Sequence, residues 1–543
     1  MIMLWAMFLF VGLQTSAGPA GPIAKNIVVR DTIKQQDLNQ QALPGNALYT
    51  ITRSGRYQLG SDLTAAPSYN NCSVIRIAAS NVILDCCALP ITQDPSSGQT
   101  IIAIEIASQA ANIQIHNAMI TDIKGTGITI NPAAANICIK ESTVDKCTHT
   151  GIVINQANTV SIERARITRC DGSHENAING AIGIDIICST NIKLDDVACI
   201  ANNNTAGDST GIRISTSTSC LITDSTASNN TGANAYGFSL TTSCVSCQIV
   251  NCMAVNNTST NGDAIGFRTH SCEDIKIVAC QAESNNSLGG RAIGFIFENS
   301  GGSLINSSDA QSNKSSGNHA YGYLISQSDG ITIASSKAVR NCALNNYHTY
   351  GFYLTECTYS KIADCLAQSN YAGGSGDTHG YYTIGGRGNV FERNSAMGNR
   401  GGTTVTATGS GFTFGNGERQ STIVECESKN NHGGNGTGYG IKFGAPGETI
   451  INCTVKNNSL TNNAGTFMYG FKDFSAMSTI FFANNFAYGQ GRSMVGTALS
   501  DTGSNNFWFA LGGDGNATKI ITEVGITDFT NLTGSAAHNV SLY

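Results

Sequence analysis

A column of polar and ionisable residues recurs at nearly even spacing through the middle of the chain. Its members stand 26 to 29 residues apart, each three residues before a glycine: Asp208, Asn234, Asp263, Arg291, His319, His348 and Asp377. Hydrolysis of a glycosidic bond requires two carboxyl groups about 5–9.5 Å apart. β-Elimination from a uronic acid requires a base near the abstracted proton and a cation that neutralises the carboxylate. The way in which the chain stacks these residues decides whether either reaction is feasible.

A second set of polar and aromatic residues follows the same glycines. Arg268, Tyr353 and Tyr382 stand two residues after them, as do Arg213 and Lys442. Tyrosines beside polar groups on a long flat face suit the rings and hydroxyls of sugars. The candidate ligand-facing residues are therefore Asp263, Arg291, His319, His348, Asp377, Arg268, Tyr353 and Tyr382. The alternative is that these loop residues are polar because they are solvated, with ordinary charge compensation along the column.

The glycines themselves define an internal repeat. From Gly183 onward they recur every 26 to 31 residues, at Gly211, Gly237, Gly266, Gly294, Gly322, Gly351, Gly380, Gly411, Gly440 and Gly470. Such a period, with short apolar alternations and no helical pattern, predicts a β-solenoid. The residues one before, one after and three after each glycine are mostly apolar. Period-two alternation predicts that all three face inward and that the glycine faces outward or into a bend.

Two further columns are predicted to stack inside the solenoid. Six residues after the glycine stands a small residue: Ser189, Ser217, Ser243, Cys272, Ser300, Ser328 and Cys357. Nineteen residues after the glycine stands an asparagine: Asn202, Asn230, Asn256, Asn285, Asn313, Asn341, Asn370, Asn399 and Asn430. Asparagine tolerates the left-handed backbone of a sharp turn, and its amide bonds to an identical neighbour about 4.8 Å away. The pattern therefore predicts an asparagine ladder.

Composition excludes several classes of protein. Sixty glycines, eight prolines and only 13% charged residues are typical of a turn-rich all-β chain. The net charge is −6, without a basic run, so nucleic acid is a poor partner. Nineteen cysteines alternate with serine and alanine in the small columns, which favours free packing thiols over disulfides. No set of residues at metal-ligand spacing is recognisable, so no cofactor or metal is expected.

The first residues predict export. Residues 1–17 contain an apolar run that has the length of a signal-peptide core and is too short to span a bilayer. No other stretch reaches 18 apolar residues, so no integral membrane segment is expected in the mature chain. The expected location is secreted, periplasmic or cell-surface, and the oligomeric state stays open.

The repeating turns with their asparagine column resemble right-handed parallel β-helix proteins of the pectin-lyase-like superfamily. The segment "SGRYQLGSDLT…VIRIAASNVILDCC" (54–87) is similar to the opening of periplasmic copper-maturation-type β-helix proteins. The resemblance, over about residues 50–480, implies an all-β, single-stranded right-handed parallel β-helix of about 14–16 turns of 26–31 residues. The expected divisions are a cap at 18–75, the helix at 76–480, and closing strands with a C-terminal cap at 481–543.

This resemblance implies a fold but no catalytic residue, because the clustered acids and arginine motifs of the family's enzymes are not recognisable here. Turns about 4.8 Å apart place Asp263 and Asp377 roughly 19 Å apart, too far for hydrolysis, and Asp208 and Asp263 roughly 10 Å apart. We therefore expect an exported protein that contacts a polysaccharide or surface glycan without catalysis, as an adhesion or scaffold protein. The alternative is a polysaccharide lyase or glycoside hydrolase.

Overall fold

The structure, a computed structural model, describes most of the chain. It covers residues 30–38, 46–172, 180–204, 206–433, 437–443, 449–456 and 458, and five later strands between residues 468 and 510. The predicted signal peptide (1–17) lies outside the described residues, as does most of the predicted C-terminal cap. The division into caps and helix stays a prediction.

The described part of the chain is a parallel β-solenoid with three sheets, of which two run along its length and the third spans only residues 203–372. Each strand pairs in parallel and in register with the strand one turn further on, as in the pairing of Phe295 with Tyr323. One short 3-10 helix, Gln35–Asp37, is the single helix of the described part. None of the described helices is long and apolar enough to cross a membrane.

Sheet 1 contains the repeated glycines. Its strands are Ala47–Ile51, Cys72–Ile77, Ile101–Ile106, Gly125–Ile130, Thr150–Asn155, Ala181–Ile187, Ser209–Ser215, Ala235–Thr241, Ala264–His270, Ala292–Glu298, Ala320–Ser326, Thr349–Thr355, Thr378–Ile384, Gly409–Phe414, Gly438–Phe443, Met468–Asp473 and Arg492–Val495. Fourteen of these strands begin between residues 76 and 480, which confirms the predicted number of turns.

Sheet 2 has two arms. The first arm is Arg30–Ile33, Gly55–Leu59, Val82–Asp85, Ala111–His116, Ala135–Lys140, Asn158–Thr168, Thr190–Ile200, Leu221–Thr223, Gln248–Val250, Lys276–Val278, Leu304–Asn306, Thr332–Ala334, Lys361–Ala363, Val390–Glu392, Thr422–Val424, Thr449–Ile451 and Phe481–Ala483. The second arm shares Asn158–Thr168 and Thr190–Ile200 and adds Leu63–Ala65, Pro90–Gln93, Met119–Ile123, Thr143–Cys147, Thr226–Ser228, Met253–Val255, Gln281–Glu283, Asp309–Gln311, Lys337–Val339, Leu366–Gln368, Ser395–Met397, Glu427–Lys429, Thr454–Lys456, Phe486–Gln490 and Phe507–Ala510.

Sheet 3 is narrow. Its strands are Asn203–Asn204, Thr231–Gly232, Thr258–Ser259, Asn286–Ser287, Lys314–Ser315, Cys342–Ala343 and Tyr371–Ala372.

The core between the sheets contains a column of aromatic rings. It consists of Phe238, Phe267, Phe295, Tyr323, Phe352, Tyr381 and Phe412, one residue after each glycine. Neighbouring rings stack with centroids 4.6–4.9 Å apart and planes within 6° of parallel. The spacing equals the distance between turns, because each strand is in register with the next. The inward position predicted for these residues is confirmed.

Of the two orientations predicted for the glycines, the outward one is wrong. A Cβ at Gly294 would lie 2.6 Å from the buried Cβ of Ala310 and 2.6 Å from the carbonyl oxygen of Gly322, so the glycine faces the core. Glycine and the following Phe295 both face inward, so the period-two alternation breaks at the glycine. The residue before the glycine, Ile293 in this strand, therefore belongs to a separate apolar cluster and not to the core.

The asparagine ladder is present inside the solenoid. Each side-chain amide donates to the side-chain oxygen of the next asparagine over 2.7–3.1 Å. The same oxygen also accepts the backbone N–H of the asparagine whose amide donates to it, as Asn285 N–H donates to Asn313. The ladder comprises Asn202, Asn230, Asn257, Asn285, Asn313, Asn341, Asn370, Asn399, Asn431 and Asn458.

Two predicted ladder residues are wrong by one position. Asn257 and Asn431 are buried in the ladder, whereas the neighbouring Asn256 and Asn430 have φ of 55° and 54°. The left-handed turn thus belongs to the residue before the ladder. At the ladder position, asparagine is required for the hydrogen bonds of its side-chain amide and not for its tolerance of a left-handed backbone.

One cause explains the slip at Asn256 and a second slip at Ser243. The turn that begins at Gly237 contains an extra residue at Thr242 and Ser243, which have φ of 57° and 60°. Ser243 is consequently exposed, and Cys244 occupies the buried position that we predicted for Ser243. Every later position of that turn moves by one residue, including the asparagine.

A further inner column of small residues, which includes Cys252, Cys280, Ser308, Ser336 and Cys365, contains cysteine and serine in equivalent roles. The Cys280 backbone N–H donates to the Ser308 hydroxyl over 3.1 Å, and both side chains donate to the carbonyl two residues earlier. None of the nineteen cysteines, all within the described residues, forms a disulfide. Burial raises the pKa of Cys365 to about 12, which keeps this thiol protonated.

Candidate functional site

The outer face of sheet 1 has its own apolar cluster, separate from the core. It combines the residues one before and two after the glycine, which the bend at the glycine brings to the same face. Its members are Ile265, Ile293, Ile296, Tyr321, Leu324 and Tyr350, with Tyr236, Tyr353 and Tyr382 packed against them. Tyr321 and Tyr350 are buried, whereas Tyr353 and Tyr382 are partly exposed.

The predicted polar column flanks this cluster and is joined along much of its length by hydrogen bonds. Asn234 donates to the Asp208 carboxylate over 2.8 Å, and the Asp263 N–H donates to Asn234. The Arg291 guanidinium donates to Asp263 Oδ2 over 2.6 Å and 3.0 Å. Arg291 and Asp263 therefore neutralise each other, as ordinary charge compensation would require.

The two histidines repeat this arrangement. The His348 N–H donates to His319 Nδ1 over 2.9 Å, and the Asp377 N–H donates to His348 Nδ1 over 2.8 Å. A nitrogen that accepts carries no proton, so each imidazole is neutral with its proton on Nε2. Burial, together with the neighbouring His348 and Arg291, lowers the pKa of His319 to about 4. The pair therefore presents its Nε2–H groups as donors.

Aromatic contacts connect the histidines to the tyrosines. The rings of His319 and His348 stack with centroids 4.9 Å apart, and His319 meets Tyr350 edge-on at 6.1 Å. Tyr350 in turn meets Tyr353 edge-on at 4.7 Å, and Tyr353 stacks on Tyr382 at 5.3 Å. Burial raises the pKa of both Tyr353 and Tyr382, so their hydroxyls stay protonated.

The structure separates the eight predicted residues into two groups. His319, His348, Asp377, Tyr353 and Tyr382 are connected over three neighbouring turns, and we call this group the tyrosine–histidine cluster. The other group lies on the preceding turns and consists of Asp263, Arg268 and Arg291.

The members of the second group are bound to one another or to other side chains. Arg268 lies over the Tyr236 ring, 5.3 Å from its centroid, and 3.9 Å from the Glu298 carboxylate. Arg291 is paired with Asp263. Both arginines are therefore engaged within the protein.

Sequence reasoning missed three residues at the edge of this cluster. His379 is buried, stacks on Tyr350 at 5.5 Å, and places Nδ1 2.5 Å from the Ser410 hydroxyl and 3.1 Å from the Thr413 hydroxyl. Burial lowers the pKa of His379 well below its ordinary value. His379 precedes Gly380, so recognising that residues before the glycine face outward would have revealed it.

The geometry limits the chemistry that is available. Asp263 is ion-paired, and the Nδ1 atoms of His319 and His348 are occupied by backbone N–H groups. No group of three metal-ligating side chains occurs in the described part of the chain. The groups left for a ligand are the imidazole Nε2–H donors, the Asp377 carboxylate and the tyrosine hydroxyls.

A depression of about 490 Å³ lies apart from this face, at the end of sheet 3. Tyr371, Arg400 and the glycines 373, 398 and 401 contribute to its walls. It contains none of the residues that the sequence predicted to face a ligand.

Comparisons with known proteins agree with the architecture. A family model described as "Right handed beta helix region" matches residues 96–254. No curated protein matches the chain. The narrower likeness of residues 54–87 to copper-maturation-type proteins stays a prediction.

Several solved structures are similar to this chain at low identity. Pectate lyase Pel9A is 13% identical, with 50% of this chain and 69% of that chain covered and a TM-score of 0.34. The Dettilon tailspike protein is 12% identical, with 55% and 60% covered and a TM-score of 0.35. The periplasmic alginate epimerase AlgG is 11% identical, with 72% and 80% covered and a TM-score of 0.33.

These likenesses carry no inference about what this chain binds or does. The chain covers less than two thirds of the tailspike protein. The parallel in-register sheets and the matched family model establish the architecture independently. The chain is a parallel β-solenoid, and its residues 96–254 match the right-handed β-helix family model.

Proposed function

We propose that this protein is exported and binds carbohydrate without catalysis, through the tyrosine–histidine cluster on the outer face of sheet 1. The observation that carries the proposal is the partly exposed, stacked pair Tyr353 and Tyr382 beside two neutral imidazoles. Aromatic rings with polar tips offer apolar surface and hydrogen bonds together, which is what a sugar requires.

The occupied groups favour binding over catalysis. A general base must reach its proton through a free lone pair, but the Nδ1 atoms of His319 and His348 already accept backbone N–H groups. The cation that elimination requires is also engaged, because Arg291 binds Asp263 at 2.6 Å. A binding surface needs neither group to be released.

A glycan array with the purified protein tests this proposal. Tyr353→Ala should weaken binding by about tenfold or more, because stacking anchors of this kind contribute on the order of 1–2 kcal/mol. Tyr359→Ala is the matched control, because Tyr359 is 64% exposed and lies outside the cluster. If Tyr359→Ala weakened binding as much as Tyr353→Ala does, the ligand would bind outside the cluster. The absence of binding to any glycan would refute the proposal.

Polysaccharide lyase or glycoside hydrolase activity is the second candidate. The observation in its favour is a histidine beside a carboxylate, with His348 Nδ1 3.6 Å from Asp377 Oδ2. Incubation with uronic-acid and neutral polysaccharides should yield neither unsaturated products, read by ultraviolet absorbance, nor new reducing ends. If turnover occurred and either His319→Ala or Arg291→Ala abolished it, the protein would be an enzyme. The second candidate function would then replace the first.

A further inference from the structure

We infer that the tyrosine–histidine cluster selects neutral, hydroxyl-rich glycans and rejects uronic-acid polymers. This inference rests on the proposed carbohydrate-binding function and adds the chemical class of the ligand.

The cations of the neighbouring turns are not directed at the cluster. Arg291 binds Asp263 at 2.6 Å, and Arg268 lies 3.9 Å from Glu298. Arg291 lies two turns before Tyr353, so it is roughly 10 Å from the stacked tyrosines along the axis. At that distance and in salt, a paired guanidinium contributes little attraction for an anion.

Lys442 is the cation on the other side of the cluster. It lies 5.1 Å from the Tyr439 ring centroid, in the strand Gly438–Phe443, two turns beyond Tyr382. It is therefore also roughly 10 Å from the stacked tyrosines. Neither side of the cluster brings a cation into contact with a ligand at its centre.

The histidines do not replace these cations. His319 and His348 both accept a backbone N–H at Nδ1, so protonation at that nitrogen would break an existing hydrogen bond. Each ring keeps one Nε2–H donor, and the two rings are 4.9 Å apart. Sugar hydroxyls can accept from such neutral donors without needing a charge.

Asp377 supplies the negative charge of the cluster. Its Oδ1 accepts the Thr408 N–H over 2.6 Å, and its side chain is 29% exposed. In the described part of the chain, no lysine or arginine forms an ion pair with it. Its carboxylate accepts hydrogen bonds from hydroxyls, whereas it repels the carboxylate of a uronic acid. Donors and an acceptor side by side therefore match hydroxyls, which both donate and accept.

Direct binding measurements distinguish the two ligand classes. The full chain is titrated at about pH 7.5 with neutral probes (mannan, xylan and β-glucan oligosaccharides) and acidic probes (polygalacturonate and alginate oligosaccharides). We expect a neutral probe to bind about tenfold or more tightly than either acidic probe, with little dependence on salt.

Asp377→Asn isolates the proposed selectivity. Asparagine keeps the shape of the side chain and an oxygen for the Thr408 N–H but removes the charge. We expect the acidic probes to gain about fivefold to tenfold in affinity because the repulsion is lost, and the neutral probes to weaken because their hydroxyls lose a charged acceptor. Asp309→Asn is the matched control, since Asp309 pairs with Lys337 on sheet 2 and should change neither.

The failures of the two proposals differ. If the acidic probes bound more tightly than the neutral ones, and Tyr353→Ala abolished that binding, the proposed selectivity would be wrong. The proposed carbohydrate binding would still hold. Acidic affinity that Asp377→Asn does not raise would also overturn it. If no probe of either class binds, the proposed function fails and this inference fails with it.

Discussion

Sheet 1 carries aromatic side chains on both of its faces, and the two sets differ in regularity. Inside, seven rings stack from Phe238 to Phe412 with planes within 6° of parallel. Outside, Tyr353 stacks on Tyr382 with planes 4° apart and Tyr321 stacks on Tyr350 with planes 13° apart, but these columns are shorter. The inner rings occupy seven successive turns, whereas the tyrosine–histidine cluster is confined to three.

The difference follows from what each face must satisfy. An inner residue has to fill the same volume as its neighbours one turn away, because the core is close-packed and each strand is in register. An outer residue has no such neighbour across a core. The type of residue at an outer position can therefore change from turn to turn. A local group such as three tyrosines beside two histidines therefore indicates a requirement other than packing.

Truncating one ring on each face should give the largest contrast in stability. Phe295 is fully buried, so Phe295→Ala should cost about 4 kcal/mol of the free energy of unfolding through lost burial and a cavity. Tyr382 is partly exposed, and Tyr382→Ala should cost about 1 kcal/mol. Denaturant unfolding followed by circular dichroism measures both. Equal losses would mean that the outer rings support the fold as much as the core does.

The neighbouring asparagines 256 and 257 give a contrast within a single turn. Asn257→Ala removes amide hydrogen bonds to Asn285 and Asn230 and leaves buried groups without partners, which should cost about 3 kcal/mol. Asn256→Ala keeps the ladder and should cost at most about 1 kcal/mol, for a left-handed alanine. Thermal unfolding of the two variants compares them. If Asn256→Ala lost more stability than Asn257→Ala, the ladder residue would be Asn256, as the sequence period predicts.

The repeat made most of the inner face predictable. The 26–31-residue period and the offsets to the rings, alanines and asparagines define the β-helix, because stacking repeats the same residue types in every turn. The errors at Ser243 and Asn256 come from one extra residue, which conventional turn signals do not reveal because neither Thr242 nor Ser243 is a glycine.

The outer face was less predictable for a different reason. Strand alternation alone places Tyr350 inside, together with Phe352, and only the bend at Gly351 moves it outward to join Tyr353. The histidines were identified from their column. Their tautomer was not, because it depends on backbone N–H groups that no sequence pattern displays.

Acid should destabilise the outer column, with a smaller effect. The pKa of an unfolded histidine is near 6.5, whereas that of folded His319 is lowered to about 4 by burial and by the facing His348 and Arg291. The folded state thus favours the neutral ring. The resulting stability is complete above about pH 6.5 and is lost as the pH falls towards 4.

Because His319 is only partly buried, we expect this loss to be about 1 kcal/mol. His319→Gln keeps an acceptor for the His348 N–H and should flatten this part of the pH profile of the melting temperature. His116→Gln, on sheet 2, serves as the control. An unchanged profile in His319→Gln would show that other groups cause the acid sensitivity.

The smallest effect should come from exchanging residues within an inner column. Cys280→Ser should change the free energy of unfolding by less than about 0.5–1 kcal/mol, because serine already occupies the next turn at Ser308 with the same hydrogen bonds. Titration of the denatured, non-reduced wild-type protein should accordingly find most of the nineteen cysteines as reactive thiols. A loss of several kcal/mol in Cys280→Ser, or a titration that finds about one thiol, would mean that the cysteines are paired. The inner columns would then be held by covalent bonds, and the regularity of the inner face would no longer be explained by packing alone.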